Sequence, residues 1–584
     1  MISRSISAWA QAGAASGHRM GNEIMKTITG IILLSLLAVS GSAQARIINA
    51  ASVSRSDVAA AIHSAVNGDA VVIPAGASTW TTGISVSRKA IKIQGAGSGR
   101  IIGRSRSSVA VGTGSKTFAT QSRLSISAGQ ILTVESMPLA NGTIDGRGTY
   151  MTGTVTSYSG TSLVMNITAT GGGGTHDFWK IETQASTTIN HGTDTNTIFA
   201  ITESTAGSVE ISGIRFTQLV DASVSLKTIS VANTPGGKPV LIHDCWFSEP
   251  AGSNNAIDFF TNRGVVWNCS FDASPFGMTS GTVGLKWEGG NYSWITASTM
   301  GAADTTGDNN LYVEDCDYHA FLNAGGIDDN GRMVLRHMLF DNAGFGTHGA
   351  DTSNYGQRHF EVYDSEFVFN STTGEVLNLN WWFFIRGGTF IVTDCIMPLI
   401  SSQDYSNKPS FNMTVMNLQR RGGPNPCWGH GTTNGANYPA PRQAGFGRVT
   451  GTSGNDSITY KGDSEPIYIW NITGPTPVVT ISDYGGNDCV SPDHSSNYIQ
   501  AGRDYYLGTA KPGYTKYTYP HPLRNSDSSS PSTSTTASSV TPGSPHYFHK
   551  GKKEGLKKVK RGKWGKAKEN STNGVAEGQK ELGE

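Results

Sequence analysis

The sequence predicts an all-β solenoid in which one short strand recurs in every coil and the coils stack along a common axis. Between residues 241 and 397 one phrase returns: alternating apolar residues, then Asp or Asn, often Cys, one spacer and an aromatic. Alternation with a period of two is typical of a strand whose two faces differ. The copies recur at roughly 22–31 residues, with one gap about twice as long, which is the range of solenoid repeats.

Most of the copies share both the phase of the aromatic and the position of the Asp or Asn. They read LIHDCWF (241–247), VVWNCSF (265–271), YVEDCDY (312–318), MVLRHMLF (333–340), FEVYDSEF (360–367) and FIVTDCIM (390–397), with a weaker copy, VEISGIRF, at 209–216. An ordinary β-sandwich does not require the same Cys and aromatic at the same phase, so the pattern favours stacked coils.

Composition agrees with many short strands. The chain has 584 residues, of which 15% are charged and 72 are glycine. Its length alone would suggest about four domains, but a solenoid grows by adding coils rather than new cores. The net charge of +1 gives no reason to expect a specific nucleic-acid partner.

Residues 1–45 are predicted to be a leader ending in a signal peptide at 25–45. Residues 25–45, MKTITGIILLSLLAVSGSAQA, combine a lysine, an apolar run and the small-residue end Ala43–Gln44–Ala45, which is the pattern of secretory signals. The run is too short to cross a bilayer, and no other stretch is long and apolar enough. We therefore expect an exported, extracellular protein without a transmembrane segment.

Residues 46–107 are predicted to form an N-terminal cap and the first coils. Ser54 followed by Asp57 resembles a capping box, and Gly68 ends the amphipathic pattern, so a short helix is expected between them. Strands are expected next, at 70–76, 83–86 and 91–97.

Four further segments follow. Residues 108–184 interrupt the repeat with alternating and Gly-rich phrases, and are predicted to be an inserted β module with an adhesive or spacing role. The parallel coils are expected at 185–420 and a Gly-, Pro- and aromatic-rich cap at 421–523. Residues 524–584, a Ser/Thr/Pro linker and a basic tail, contain too few apolar residues to fold and are predicted to be disordered.

The six cysteines divide into two groups. Cys245, Cys269, Cys316 and Cys395 share one phase of the repeat, so we expect buried free thiols stacked as small apolar residues. Cys427 and Cys489 lie outside the repeat and could form a disulfide in an oxidising compartment.

The repeat, together with the helix and strands at 54–97, resembles the right-handed parallel β-helix proteins of the pectin-lyase-like superfamily. The resemblance covers residues 54–418 without the inserted module, and the module itself is similar to small β modules of phage tail proteins. It implies three short parallel sheets with like side chains stacked inside. Proteins of this kind include polysaccharide lyases, glycoside hydrolases, phage tailspikes and proteins without an assigned activity.

Ionisable residues recur at about one coil spacing, where a polymer lying along the solenoid would meet them. Candidate catalytic residues are Asp328, Asp329, His348 and Arg386. Adjacent carboxylates suit general acid–base work because one raises the pKa of the other, while an arginine can bind a uronate through two hydrogen bonds. Candidate substrate-binding residues are Asp308, Asp351, Arg358, Trp381 and Trp382.

The resemblance is compatible with two types of reaction, hydrolysis and elimination. In polygalacturonase-like hydrolases, Asn-Thr-Asp, Asp-Asp, His-Gly and Arg-x-Lys occur on successive coils. Asp328–Asp329 and His348–Gly349 match the second and third motifs, whereas 307–309 and 386–388 depart from the first and fourth. In lyases of this fold an Arg or Lys removes the proton beside a uronate carboxyl, often with calcium, which is the one cofactor considered. No zinc-type spacing of His and Cys is present.

The favoured hypothesis is a secreted, pectate-lyase-like enzyme acting on a uronate-containing polysaccharide. One alternative is a polygalacturonase-like inverting hydrolase, and another is a glycan-binding, tailspike-like adhesion protein without turnover. The sequence leaves open the choice among them, the glycan and the oligomeric state.

Overall fold

Three parallel sheets lie side by side, and the chain passes through each of them once per coil in this computed structural model. The structure describes residues 44–105, 107–120, 124, 126–136, 149–177, 179–192, 197–218, 227–248, 255–261, 263–272, 283–288, 307–319, 325–328, 331–341, 343–347, 357–368, 382–385, 387–397, 412–416, 429–430, 437–438, 444–447, 464–474, 477–482 and 499–525. One coil runs from Glu210–Ser212 to Arg215–Gln218 and Lys227–Ala232, and then returns to the first sheet at Val240–His243.

The first sheet, sheet A, has twelve strands whose described neighbours pair in parallel. They are Ile47–Asn49, Ala70–Ile73, Lys92–Gly95, Glu210–Ser212, Val240–His243, Gly264–Trp267, Leu311–Glu314, Arg332–Arg336, His359–Tyr363, Thr389–Thr393, Ile467–Trp470 and Tyr505–Leu507. The eight strands of sheet B are Gly76–Trp80, Thr187–His191, Arg215–Gln218, Trp246–Ser248, Ser270–Asp272, Asp317–His319, Leu339–Asp341 and Glu366–Val368.

The third side of each coil is formed by sheet C and, farther along the chain, sheet D. Sheet C contains Ile84–Ser87, Thr197–Thr202, Lys227–Ala232, Asn255–Phe259, Val283–Glu288 and Gly325–Asp328. Sheet D contains Phe345–Gly346, Phe383–Ile385, Asn412–Met416 and Val478–Ser482. This architecture is the parallel β-helix predicted from the repeat, and the all-β assignment is confirmed.

The Asp or Asn of each repeat makes the corner between sheets A and B. These residues have φ between 49° and 55°, as do the histidine and asparagine of two further coils. They are Asp244, Asn268, Asp315, His337, Asp364, Asp394 and Asn471. Left-handed backbone is tolerated best by Gly, Asn and Asp, and the weaker copy has Gly213 there, with φ 69°.

The next residue of each repeat points into the core. The prediction of buried free thiols is confirmed for Cys245, Cys269, Cys316 and Cys395. The first three lie on successive coils, and Cys269 N donates to Cys316 Sγ at 3.3 Å. Cys395 is separated from them by the coils of Met338 and Ser365. Cys427 and Cys489 lie outside the described residues.

The aromatics that close six of the repeats, from 209–216 to 360–367, form a continuous ring stack under sheet B. Successive ring centroids lie 5.2, 5.0, 4.7, 5.6 and 4.5 Å apart, with interplanar angles of 15° or less. The rings belong to Phe216, Phe247, Phe271, Tyr318, Phe340 and Phe367. Each such pair contributes about 0.5–1.5 kcal/mol beyond the burial of its area, so the aromatic fixes the register of neighbouring coils.

A helix at Arg55–Ser64 covers the first coil. Ser54 is its N-cap and accepts from Asp57 N at 3.3 Å. The helix buries Val58, Ala61 and Ile62 in the same core as the first strands. The capping helix is therefore present where the sequence predicts it.

Residues 101–183 form an antiparallel sheet with its own apolar cluster, which includes Phe118, Leu132 and Met151. In spatial order its strands are Ile101–Ser105, Trp179–Thr183, Ile131–Ser136, Tyr150–Ser159, Ser162–Gly171 and Gly114–Ala119. Val109–Ala110 and Thr175–His176 form a separate pair. The likeness of this module to phage tail modules stays a prediction.

The parallel sheets continue past residue 420, where the sequence pattern predicts their end. Ile467–Trp470 and Tyr505–Leu507 extend sheet A, while Val478–Ser482 extends sheet D. Long connections between these strands remove the regular spacing on which the sequence argument depends. Gly429–His430 pairs antiparallel with Asn437–Tyr438.

The segment 514–524, here called the strap, packs along the outer face of sheet A and ends in the short 3-10 helix Pro522–Asn525. Tyr517 and Leu523 pack with Leu241, Tyr312 and Tyr363 in an apolar cluster outside the solenoid core. Among the described helices, none has the length and apolarity needed to cross a membrane. Of the predicted leader at 1–45 and the predicted linker and tail at 524–584, residues 1–43 and 526–584 lie outside the described residues.

Candidate functional site at the edge of sheet C

The strands of sheet C alternate between apolar and polar register positions. Ile229, Ile257 and Leu285 are paired in one row, and the first two of these side chains are fully buried. The neighbouring row pairs Ser230, Asp258 and Lys286. Because side chains alternate between the two faces of a strand, the sequence of sheet C places its polar residues at one set of positions along several coils.

The carboxyl ends of two of these strands bring two acidic residues to adjacent positions. Val283–Glu288 and Gly325–Asp328 are parallel neighbours, and Glu288 pairs with Asp328 in the register. Each is the last residue of its strand. Neighbouring strands lie about 4.8 Å apart, so the backbone positions of these acidic residues are neighbours although 40 residues separate them in the sequence.

An ion pair lies on the same sheet two coils earlier. Lys227 Nζ is 2.6 Å from Asp258 Oδ2, and 31% of the lysine side chain but only 2% of the aspartate side chain is exposed. A buried carboxylate requires such a partner. The lysine is therefore the accessible member of this pair.

Most of the sequence-predicted residues belong to connections between the third side of the coil and sheet A. Asp308 precedes Leu311–Glu314, Asp328 ends Gly325–Asp328, and Arg358 precedes His359–Tyr363. Asp329, His348, Asp351 and Arg386 fall in sequence in the same set of connections, and these four lie outside the described residues. Among the described candidates, the topology thus places Asp308, Asp328 and Arg358 at one kind of connection, on successive coils.

The remaining two candidates, Trp381 and Trp382, precede Phe383–Ile385 at the opposite end of a strand. Trp381 lies outside the described residues. Trp382 is buried and packs edge-on against Phe367, with ring centroids 5.4 Å apart. This placement favours a role in the core rather than stacking on a sugar.

Arg358 and Asp308 have contrasting environments. Arg358 is fully buried, and its Nη1 and Nη2 donate to Glu465 at 2.6 and 2.9 Å. Its guanidinium therefore binds a carboxylate of the same chain through two hydrogen bonds. Asp308 is half-buried beside Gly307, which packs against Leu523 of the strap. Substrate contact by either residue stays a prediction, and the placement of Arg358 favours a structural role.

Sequence reasoning overlooked Glu288. The phrase Val283-Gly-Leu-Lys-Trp-Glu288 alternates as the other strands do, and this alternation was the available signal. It lacks the Asp-Cys-aromatic ending that marks the repeat, since that ending belongs to the corner between sheets A and B.

A second group of charged residues lies where the antiparallel module meets sheet B. His319 contacts Asp317 at 2.6 Å and Asp341 at 3.1 Å, and Arg104 Nη2 lies 3.0 Å from Asp341 Oδ2. Burial by itself lowers the pKa of His319, but its hydrogen bonds to the two carboxylates outweigh this effect and raise the pKa to about 10. Because these opposite charges pair with one another, the cluster is best explained as a charged junction.

A further polar contact crosses the same junction. Lys180 Nζ lies 3.4 Å from Asp272 Oδ2 and 2.7 Å from Glu182 Oε1. Across the described ranges, no group of three or more His, Cys, Asp or Glu side chains is arranged to hold a metal ion.

Comparisons with known proteins give structural similarity only. No family model matches the sequence, and no curated protein matches it. The tailspike gp61 of Pseudomonas phage phi297 is 13% identical, with 73% of this chain and 74% of that chain covered and a TM-score of 0.18. The tailspike gp49 of Pseudomonas phage LKA1 is 14% identical, with 74% and 76% covered and a TM-score of 0.19.

A third similar structure is the gp54 tailspike of Acinetobacter baumannii bacteriophage AP22, in complex with A. baumannii capsular saccharide. It is 10% identical, with 71% of this chain and 65% of that chain covered and a TM-score of 0.19.

Proposed function

We propose that the protein binds a polysaccharide along the side of its parallel β-helix, at the carboxyl edge of sheet C. The observation that carries this proposal is the pairing of Glu288 with Asp328 in the register, next to the connections in which the other ionisable candidates recur. A linear polymer lying along the solenoid axis would meet one such connection per coil, about every 4.8 Å.

The chemistry of these positions suits a hydroxyl-rich chain. Carboxylates accept hydrogen bonds from sugar hydroxyl groups, and the partly exposed Lys227 can attract an anionic substituent. Fold alone does not determine function, so the proposal depends on these residues and not on the solenoid as such.

Cleavage of the bound glycan is a second candidate function, and the Glu288–Asp328 pairing favours it specifically. Carboxyl groups that lie close together do not both ionise easily, so one member of such a pair retains a proton and can act as a general acid. This arrangement would support hydrolysis. Elimination, the pectate-lyase-like hypothesis, would instead require Arg386 or another base beside a uronate, with its carboxylate neutralised.

The test uses the full chain and a panel of neutral, uronate-containing and capsular polysaccharides. Affinity electrophoresis measures binding, reducing-end release measures cleavage, and ultraviolet absorbance of an unsaturated sugar separates elimination from hydrolysis. We expect retention by at least one glycan, weakened about tenfold or more by Asp328→Asn and by Glu288→Gln, since one charge-assisted hydrogen bond contributes about 1.5–3 kcal/mol.

Asp177→Asn is the matched control, because Asp177 is an exposed carboxylate on the antiparallel module. It should leave retention unchanged. If cleavage occurs, loss of a general acid or base should slow it about 10²–10⁴-fold. Absence of retention on every glycan, or equal retention by all three variants and the parent chain, would contradict the proposed site.

A further inference from the structure

Sheet A begins its hydrogen-bonded ladder at Arg46. The Arg46 carbonyl accepts from Ala70 N at 2.8 Å, and the main-chain nitrogen of Arg46 donates to Asp69 Oδ1 at 2.9 Å. Gln44 and Ala45, which precede it, are exposed. The peptide bond between Ala45 and Arg46 is therefore accessible and adjoins the first paired strand.

Asp69 is a preformed acceptor for positive charge at this point. Its side chain is only 2% exposed. It accepts from Arg46 Nε at 3.1 Å and from Val66 N at 2.9 Å. These hydrogen bonds, above all those from the Arg46 guanidinium, hold the pKa of the Asp69 carboxyl well below its usual range. Asp69 is consequently a carboxylate, and one of its oxygens faces the main-chain nitrogen of Arg46.

Several bonds in the leader satisfy the preference for small residues one and three positions before the cut. Gly41-Ser42-Ala43 would direct cleavage after Ala43, and Ala43-Gln44-Ala45 would direct it after Ala45. The second cut is the one at which the predicted signal peptide ends, and only this cut converts the nitrogen that faces Asp69 into an ammonium group.

We propose that a leader-cleaving protease of the export pathway hydrolyses the Ala45–Arg46 bond and that the new α-ammonium of Arg46 forms an ion pair with Asp69. Water is the co-reactant. The amide C–N bond breaks, Ala45 leaves with a carboxylate, and the nitrogen of Arg46 takes up protons to become an ammonium group. A hydrogen bond from a neutral amide is thereby replaced by the stronger bond from a cation to a carboxylate.

The cleavage position is tested by exporting the full chain from a bacterium and determining the N-terminal residue of the product by mass spectrometry. The expected first residue is Arg46. A product that starts at Gln44, a product that starts at any other residue, or a chain that is exported uncleaved would overturn the assignment.

The ion pair is tested on the same product by titrating the α-amine, followed by NMR after reductive dimethylation. An α-amine ordinarily has a pKa of about 7.7–8.0, and a carboxylate within hydrogen-bonding distance should raise it to about 9. Asp69→Asn should restore the ordinary value. A variant with one glycine inserted before Arg46 should do the same, because the insertion moves the ammonium group away.

The inserted glycine decides the question if Asp69→Asn does not fold. It leaves Asp69 and the Arg46 guanidinium in place and changes only the position of the ammonium group. Equal α-amine pKa values in the parent and the glycine-extended chain would show that no pair forms. Arg46→Ala is the matched control: it removes the guanidinium but keeps the α-ammonium, so the raised pKa should persist.

Discussion

Arg336 and Glu314 form an ion pair in which both side chains are fully excluded from solvent. Arg336 Nε donates to Glu314 Oε1 at 2.8 Å, and the two residues are register neighbours in sheet A. The strap accounts for their burial. Arg336 Nη1 donates to the Tyr517 carbonyl at 2.9 Å, and Arg524 Nη1 donates to Glu314 Oε2 at 2.8 Å. The Arg336–Glu314 pair lies on the outer face of sheet A, but the strap covers it and makes it part of a buried interior.

Glu314→Gln should lower the free energy of unfolding by about 3–5 kcal/mol, because it leaves the buried Arg336 guanidinium without its counter-charge. Urea denaturation of the parent and the variant measures the difference. Lys92→Gln is the matched control, since Lys92 pairs with Glu210 at 3.4 Å with 31% of the lysine side chain exposed, and such pairs contribute about 0–1 kcal/mol. Equal effects of the two substitutions would contradict the buried-pair account.

Substitutions of Asn268 test whether the corner between sheets A and B requires left-handed backbone. Asn268 has φ 50° and an exposed side chain, so substitutions there act mainly through the backbone. Asn268→Val should destabilise the protein by about 1–2 kcal/mol, whereas Asn268→Gly should be close to neutral. Thermal unfolding of the three chains measures this order. A valine variant as stable as the glycine variant would show that the corner does not require left-handed backbone.

The protonated His319 should make stability depend on pH in the alkaline range. The pKa of His319 is raised to about 10 in the folded protein, against about 6.5 in the unfolded chain. The folded state therefore binds more protons between these values. The contribution is complete below about pH 6.5 and is lost as the pH rises through about 10.

His319→Gln should remove this part of the pH dependence. Urea midpoints measured from about pH 6.5 to about pH 10 should fall with pH more steeply in the parent than in the variant. His359→Gln is a useful comparison, because burial lowers the pKa of His359 to about 4 despite the opposing effect of Glu361. Its contribution changes only between about pH 4 and about pH 6.5, so its alkaline slope should match that of the parent.

Lys516 connects the strap to two successive corners. Its Nζ lies 2.7 Å from Asp364 Oδ1 and 2.6 Å from Asp394 Oδ2, and all three side chains are about one-third exposed. Lys516→Met should therefore change global stability by about 1 kcal/mol or less, while hydrogen exchange within residues 514–524 becomes faster. Lys89→Met, at a lysine bonded to the helix carbonyls of Ile62 and His63, should leave exchange in the strap unchanged.

Several features of this protein were determined by its sequence alone. The period-two alternation, followed by Asp or Asn, Cys and an aromatic after one spacer, predicted the coils and the buried thiols, and the capping-box pair Ser54 and Asp57 predicted the capping helix. These signals are local, since the conformation of a strand or a corner depends on the few residues that form it. Asp and Asn mark the left-handed corner for this reason, and the aromatic ladder follows from one ring per coil.

Tertiary structure decided which residues meet across long separations. The strap covers the Arg336–Glu314 pair from a position 181 residues away, and Glu465 holds Arg358 from 107 residues away, contacts that no periodicity encodes. The pairing of Glu288 with Asp328 and the strands after residue 420 were missed for the same reason. The register of neighbouring coils is set by burial and hydrogen bonding between them, and connections of unequal length conceal it in the linear chain.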